Sequence, residues 1–342
     1  MLQEVHVRRK IGAIAGLIAV TGALAGCAPP EPAADSAGGR WSYTDDRGVT
    51  VNADQRPQRF IAQVSAAGAL KDFGVDVVGT FGPLVKDDGT TENEAGSVNP
   101  AEVTDVTGPA YGELNMERVA SLHPDLLVSG KYAEFPGLWH LTQDQEETAK
   151  SIVQTVGVQQ SGVALPESIR KYEELARALG GDVDSPRVRA DEEAFNAAAQ
   201  RLRGLGERLR SQNRSILAVG GTPQEYFVVV PARNPDLGYY VRELGLPITT
   251  PAHPDTAGGG YFERLSWENA NAYSGDILLW DTRRASMNPE QMKQNPLFAA
   301  QPAAAANRFV EWDAVAPMSY ASYARIMNKL ADQIERTMAG MR

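Results

Sequence analysis

Apolar residues along this chain fall in short runs separated by polar and glycine-rich punctuation. Residues 60–64, 77–81 and 126–129 are apolar runs of strand length, and 151–156 closes the first half in the same style. The second half repeats it at 215–219, 226–230, 276–280 and 308–312. Runs this short and this apolar predict strands covered on both faces, as in a parallel sheet. Between them the spacing predicts helices over 66–73 (stopped at Gly74), 116–122, 236–244, 262–273 and 319–338. Residues 41–44 and 49–51 predict a hairpin around Asp45-Asp46-Arg47-Gly48. Between the halves, Ile169, Tyr172, Leu175, Ala176 and Leu179 share one helical face, with Pro166 in the first turn and Gly180-Gly181 as the stop. A second helix is expected over 190–210. The alternation predicts an α/β protein: two α/β lobes with mostly parallel sheets, 41–163 and 183–342, joined by a long helix in 164–182.

The first 40 residues follow another logic. Arg8, Arg9 and Lys10 precede an uncharged apolar run, 11–26, which is the order of a secretory signal and is short for a bilayer span. The run ends in Leu24-Ala25-Gly26-Cys27, which resembles the bacterial lipobox. On that resemblance 1–26 is removed and Cys27 carries the lipid. Residues 27–40, rich in Pro, Ala, Gly and Ser, form a linker from the membrane to the folded body. Removing Glu4 with the three basic residues takes the net charge from −10 to −12. The expected location is the outer face of the cell membrane, with the lipid as the membrane contact.

Composition narrows the classes further. At 342 residues the chain suggests about two domains, and 43% hydrophobic residues suffice for a core. An excess of 43 Asp and Glu over 33 Lys and Arg argues against a nucleic-acid binder. One cysteine excludes an intrachain disulfide and any multi-cysteine metal site. His123, His140 and His253 share no metal-ligand spacing, which disfavours a zinc or manganese receptor. No Gly-x-Ser-x-Gly, His-Glu-x-x-His or dinucleotide motif supports a hydrolase or another enzyme.

Four stretches carry a family resemblance: RGVTVNADQRPQRFIA, LKDFGVDVVGTFG, LNMERVASLHPDLLVSG and LSWENANAYSGDILLWD. In order and spacing, from about residue 45 to 338, the set resembles the iron-siderophore/cobalamin substrate-binding lipoproteins of bacterial ABC importers, which have the class III periplasmic-binding-protein fold. The resemblance implies two lobes on a stiff helical hinge. It also implies capture of a ferric siderophore, haem or cobalamin in the cleft between them, and delivery to an ABC permease. It assigns Glu117 and Glu268, one per lobe, to docking on permease arginines. The chain has no ATP-binding Gly-x-x-x-x-Gly-Lys loop of its own. No cofactor is expected, and a monomer is.

In open α/β sheets ligands sit beyond the carboxyl ends of the strands. That rule nominates Ser65, Phe81, Lys131 and Tyr132 on the first lobe, with Tyr111 in the loop before the docking helix. On the second lobe it nominates Tyr226, Arg233, Trp280, Arg283, Arg284, Trp312 and Tyr320. Aromatic faces suit the apolar rim of an iron(III)-siderophore complex, and Arg or Tyr its oxygens. Loop 135–148 holds Trp139 and His140, unoriented at this level. The acidic balance favours a neutral or cationic ligand, such as a ferric hydroxamate, over an anionic catecholate.

Overall fold

The computed structural model describes residues 40–256 and 259–341; Cys27, the signal and most of the linker lie outside the described residues. The expected hairpin is present, β1 (Trp41–Thr44) pairing antiparallel with β2 (Thr50–Ala53). The first lobe is built on a sheet ordered β5-β4-β3-β6-β7, parallel throughout. Its strands are β3 (Phe60–Gln63), β4 (Gly79–Phe81), β5 (Thr104–Asp105), β6 (Leu126–Lys131) and β7 (Gln154–Gln159). The second sheet is ordered β10-β9-β8-β11-β12. There β8 (Ile216–Gly221), β11 (Ile277–Asp281) and β12 (Phe309–Trp312) run parallel, while β9 (Tyr226–Val229) is antiparallel to β8 and to β10 (Phe262–Leu265).

Helix ends follow local chemistry. In α1 (Val64–Asp72) the Gln63 side chain caps the amides of Ser65 and Ala66. Gly74, at φ +84°, then lets Val75 N–H reach back to the Leu70 carbonyl, a stop that needs a residue free to turn left-handed. Gly180 ends α4 (Leu165–Ala178) in the same way. The chain then enters α5 (Pro186–Ser211) and reaches β8, so the passage between the sheets uses two helices, the second of 26 residues. Helix α5 packs along α10 (Tyr320–Ala339). The largest buried cluster runs through α1, α4, α5 and α10 and takes in side chains of both sheets; smaller clusters cover the sheets' other faces.

Two expectations are corrected. Residues 262–273 are not a helix: Phe262–Leu265 is strand β10, paired with β9, followed by a 3-10 turn at Trp267–Asn269. Phe262 and Leu265 fit helical spacing, but a free sheet edge at β9 offered backbone partners that a helix would have forgone. Part of 135–148 is likewise helical, as α3 (Gln143–Lys150) capped by Thr142.

The lobes are fastened at their base. Asp72 on α1 accepts hydroxyl hydrogen bonds from Ser319 (2.5 Å) and Ser322 (3.1 Å), at the start of α10, and from Ser97 (2.6 Å). Beside it, Gly68 on α1 lies so close to the second lobe that a Cβ would sit 2.6 Å from the Pro317 side chain and 2.8 Å from the Ala95 carbonyl. Gly68→Ala should therefore lower the unfolding free energy in urea by about 1–3 kcal/mol, the usual cost of overpacking. Unchanged stability would show that the contact yields.

Candidate ligand cleft

A cleft of ≈ 780 Å³ opens between the lobes, within the range of small-ligand sites. Its first-lobe wall comes from segments that follow strand ends. After β4, Gly82 turns at φ +101° and donates its N–H to Thr107 Oγ1 at 3.1 Å. This ties the β4 exit to the 107–114 loop, itself closed by a Thr107–Leu114 bridge. Tyr111 stands at the loop tip, 71% exposed, its ring 5.2 Å from that of His140. Trp139 and His140 are anchored on the end of β6: Trp139 N–H donates to the Gly130 carbonyl (2.8 Å) and Ser129 Oγ to the Trp139 carbonyl (2.7 Å). Leu84, Val85, Glu94, Asp105 and Glu113 complete this wall, and Arg283, Arg284, Ala285 and Val315 form the wall opposite.

Both arginines are already partnered. Arg283 follows β11 by two residues and grips Asp281 through Nε (3.0 Å) and Nη2 (2.6 Å). Arg284 pairs with Asp87 of the first lobe. Facing them, Glu94 accepts a long hydrogen bond from Gln63 Nε2 (3.5 Å) and lies 3.9 Å from His140 Nε2. Burial pushes the Glu94 carboxyl up to about 7, against the pull of Arg283, and pushes His140 down to about 4. A second aromatic group borders the cleft. Tyr132 lies 4.6 Å from Trp139 and 6.2 Å from Tyr261 of the second lobe, and Phe135 stacks on Tyr261 at 6.0 Å. There Glu134 receives the Tyr261 hydroxyl (3.1 Å) and pairs with Arg233 (3.5 Å).

The nominated residues thus separate. Tyr111, Arg283 and Arg284 line the cleft. Tyr132 lies behind Trp139, and Arg233 joins the neighbouring inter-lobe link. Lys131 ends β6 without entering the wall, and Trp280 packs against the outer core of the second sheet. Ser65, Phe81, Tyr226, Trp312 and Tyr320 are buried and correct the expectation. Strand alternation sends Phe81 and Tyr226 into the packed faces of the sheets, and Trp312 donates its Nε1 to buried Asp236 at 2.7 Å. The Tyr320 ring packs on Phe73 and Phe195, and Ser65 Oγ donates to Gln63 Oε1. Glu94 escaped the sequence reading altogether. It sits in a 3-10 turn (Asn93–Ala95) within the long connection from β4 to β5, upstream of α2 (Met116–Ser121), where no periodicity points to it. No group of three or more His, Cys, Asp or Glu among the described residues could hold a metal ion.

Glu117 and Glu268 are both exposed, and neither carboxylate has a side-chain hydrogen bond or ion pair among the described residues. Glu117 opens α2, whose Asn115 cap bonds the Val106 carbonyl at the end of β5. Glu268 follows β10, whose Leu265 pairs with Tyr226 opposite the end of β8. Each therefore stands at the carboxyl end of its lobe's parallel strands, the end that faces the cleft.

Residues 61–316 match the family model described as periplasmic binding protein. The chain belongs to this family. Among solved structures it is similar to DesE, a ferric-siderophore receptor protein from Streptomyces coelicolor, at 30% identity and TM-score 0.80, covering 86% of this chain and 98% of DesE. The fold also matches a siderophore periplasmic binding protein from the fuscachelin gene cluster of Thermobifida fusca (21% identity, TM-score 0.56, 83% and 97% covered). A third match is the petrobactin-binding protein YclQ of Bacillus subtilis (14%, 0.63, 86% and 99%). No curated protein matches the sequence. Membership makes the chain a substrate-binding protein of the ABC-importer type, with the class III two-lobe fold, and a binding protein rather than an enzyme. The family is extracytoplasmic, and no helix among the described residues is long and apolar enough to cross a membrane.

Proposed function

We propose that this protein captures a ferric siderophore of the hydroxamate type in the inter-lobe cleft and passes it to an ABC permease, as a monomer tethered through lipid on Cys27. The observation that carries the reading is the charge of the cleft. Its two arginines are each held by an aspartate, while Glu94, Asp105 and Glu113 share the same walls. A strongly anionic tris-catecholate complex would find no uncommitted cation there, whereas a neutral or cationic hydroxamate complex meets Tyr111, Trp139 and Val85 as apolar and aromatic surface. The likeness to a ferric-siderophore receptor supports the ligand class.

Tryptophan fluorescence reports binding through Trp139. Titration with a ferric trihydroxamate, a ferric tris-catecholate, haem and cobalamin should give submicromolar affinity for the hydroxamate and at least about tenfold weaker binding of the others, a difference of about 1.4 kcal/mol. Preference for the catecholate, haem or cobalamin, or no binding at all, would overturn the reading.

A further inference from the structure

Among the charged groups of the cleft, Glu94 is the least committed. Asp105 Oδ1 accepts the Thr107 amide at 2.8 Å, and Glu113 Oε2 the Ala110 amide at 3.3 Å. Arg283 and Arg284 are ion-paired. Among the described residues Glu94 has the 3.5 Å bond from Gln63 on one oxygen and no hydrogen bond on the other, although it lies in the cleft wall with its side chain 13% exposed. A carboxyl in that state is short of donors, and a ligand that brings a strong donor to it gains a charge-assisted hydrogen bond in a partly desolvated site.

Resting on the siderophore reading above, we propose that Glu94 selects the charge of the ligand: it receives a protonated amine carried by the ferric complex, so that the cleft prefers cationic complexes over neutral ones of the same shape. The surrounding groups set how this varies with pH. Tyr132 is held neutral by burial, which raises its hydroxyl, and Tyr111, exposed at the loop tip, is neutral over this range as an ordinary tyrosine is. His140, lowered by burial, stays uncharged until well below neutrality. Glu92 on the same loop and Asp281 oppose ionisation of Glu94, and Arg283 favours it; Gln63 donates to the ionised form. Glu94 therefore gains its charge near neutral pH. The amine, close to an ordinary lysine in acidity, stays protonated throughout. The preference is accordingly full well above pH 7 and fades as pH falls through about 7.

The test compares ferrioxamine B, whose free amine is protonated, with its N-acetylated form, which differs only in that amine, by titration calorimetry and fluorescence from pH 5.5 to 8.5. The wild-type protein should bind ferrioxamine B about tenfold more tightly at pH 8.5, the range of a charge-assisted hydrogen bond. The ratio should approach unity at pH 5.5, and at pH 7 binding of the cation should release roughly half a proton, read from buffers of different ionisation enthalpy. Glu94→Gln should equalise the two ligands at every pH and leave the acetylated one within about twofold of wild type, which also shows that the variant is folded. Glu193→Gln, at an exposed glutamate of α5 outside the cleft, should keep the wild-type ratio. Equal binding of both complexes by the wild type, or a preference that survives in Glu94→Gln, would overturn the role of Glu94 while leaving the siderophore reading in place. Failure to bind either complex would overturn both.

Discussion

Replacing Arg47 by Ala should lower the unfolding free energy by about 3–5 kcal/mol, the cost of stripping one partner from a buried ionic network. Arg47 lies in the β1–β2 turn, yet its guanidinium reaches two other elements as well as its own turn. It donates to Asp45 Oδ2 (2.7 Å), to Glu146 Oε1 on α3 (3.1 Å), and to the carbonyl (2.7 Å) and hydroxyl (3.0 Å) of Thr155 on β7. The Asp45 side chain is fully buried and that of Glu146 is 7% exposed. Without Arg47, Asp45 keeps the amides of Val49 and Gly157 but loses its counter-ion. Glu146 keeps the Leu138 amide and Lys150. Arg47→Lys should recover only part of the loss, because an ammonium cannot reproduce the planar fork. Equilibrium urea unfolding checks both variants, and a loss below about 1 kcal/mol for Arg47→Ala would mean that solvent replaces the guanidinium.

The same residue shows what the sequence carried and what it did not. The hairpin was legible because two β-type runs flank Asp-Asp-Arg-Gly, a local signal. That its arginine is the counter-ion of a glutamate 99 residues away is a fact of tertiary placement. Four strands of each sheet were legible for a similar reason: each is a short apolar run, and strands covered on both faces need no alternation to be seen; β5, only Thr104–Asp105, and β10, whose apolar residues fit helical spacing, were not. Helix α3, QDQEETAK, was not, since only Glu146 and Ala149 are buried along it and no apolar stripe announces it. The cleft divided along the same line. Strand ends lead to Arg283, Arg284 and Tyr111, but the rule that finds an end says nothing of which side chains turn back into the sheet, and Phe81 and Tyr226 did so. Glu94 reaches the cleft through a connection whose path is fixed by contacts between lobes, so its position had no local signature.

The double variant Glu117→Ala/Glu268→Ala should reduce ligand uptake in cells by more than about tenfold while leaving ligand affinity within about twofold of wild type. Exposed carboxylates ordinarily contribute little to the stability of their own protein, and these two have no side-chain partner to lose among the described residues. At an interface their value is different, because close charge pairs across protein contacts carry coupling energies of roughly 1.5–7 kcal/mol. With one carboxylate on each lobe, a basic permease surface would be met at two points whose separation is set by the fastened base of the lobes, Asp72 against Ser319 and Ser322. Register would then be read by geometry as well as by charge, and each single variant should fall between wild type and the double. The effect should also weaken with salt over the Debye length of about 8 Å at physiological ionic strength, measurable as salt-dependent binding to the permease in detergent. Uptake unchanged in the double variant, or affinity lost together with uptake, would remove these residues from docking; charge reversal to Lys at both positions should abolish the complex outright.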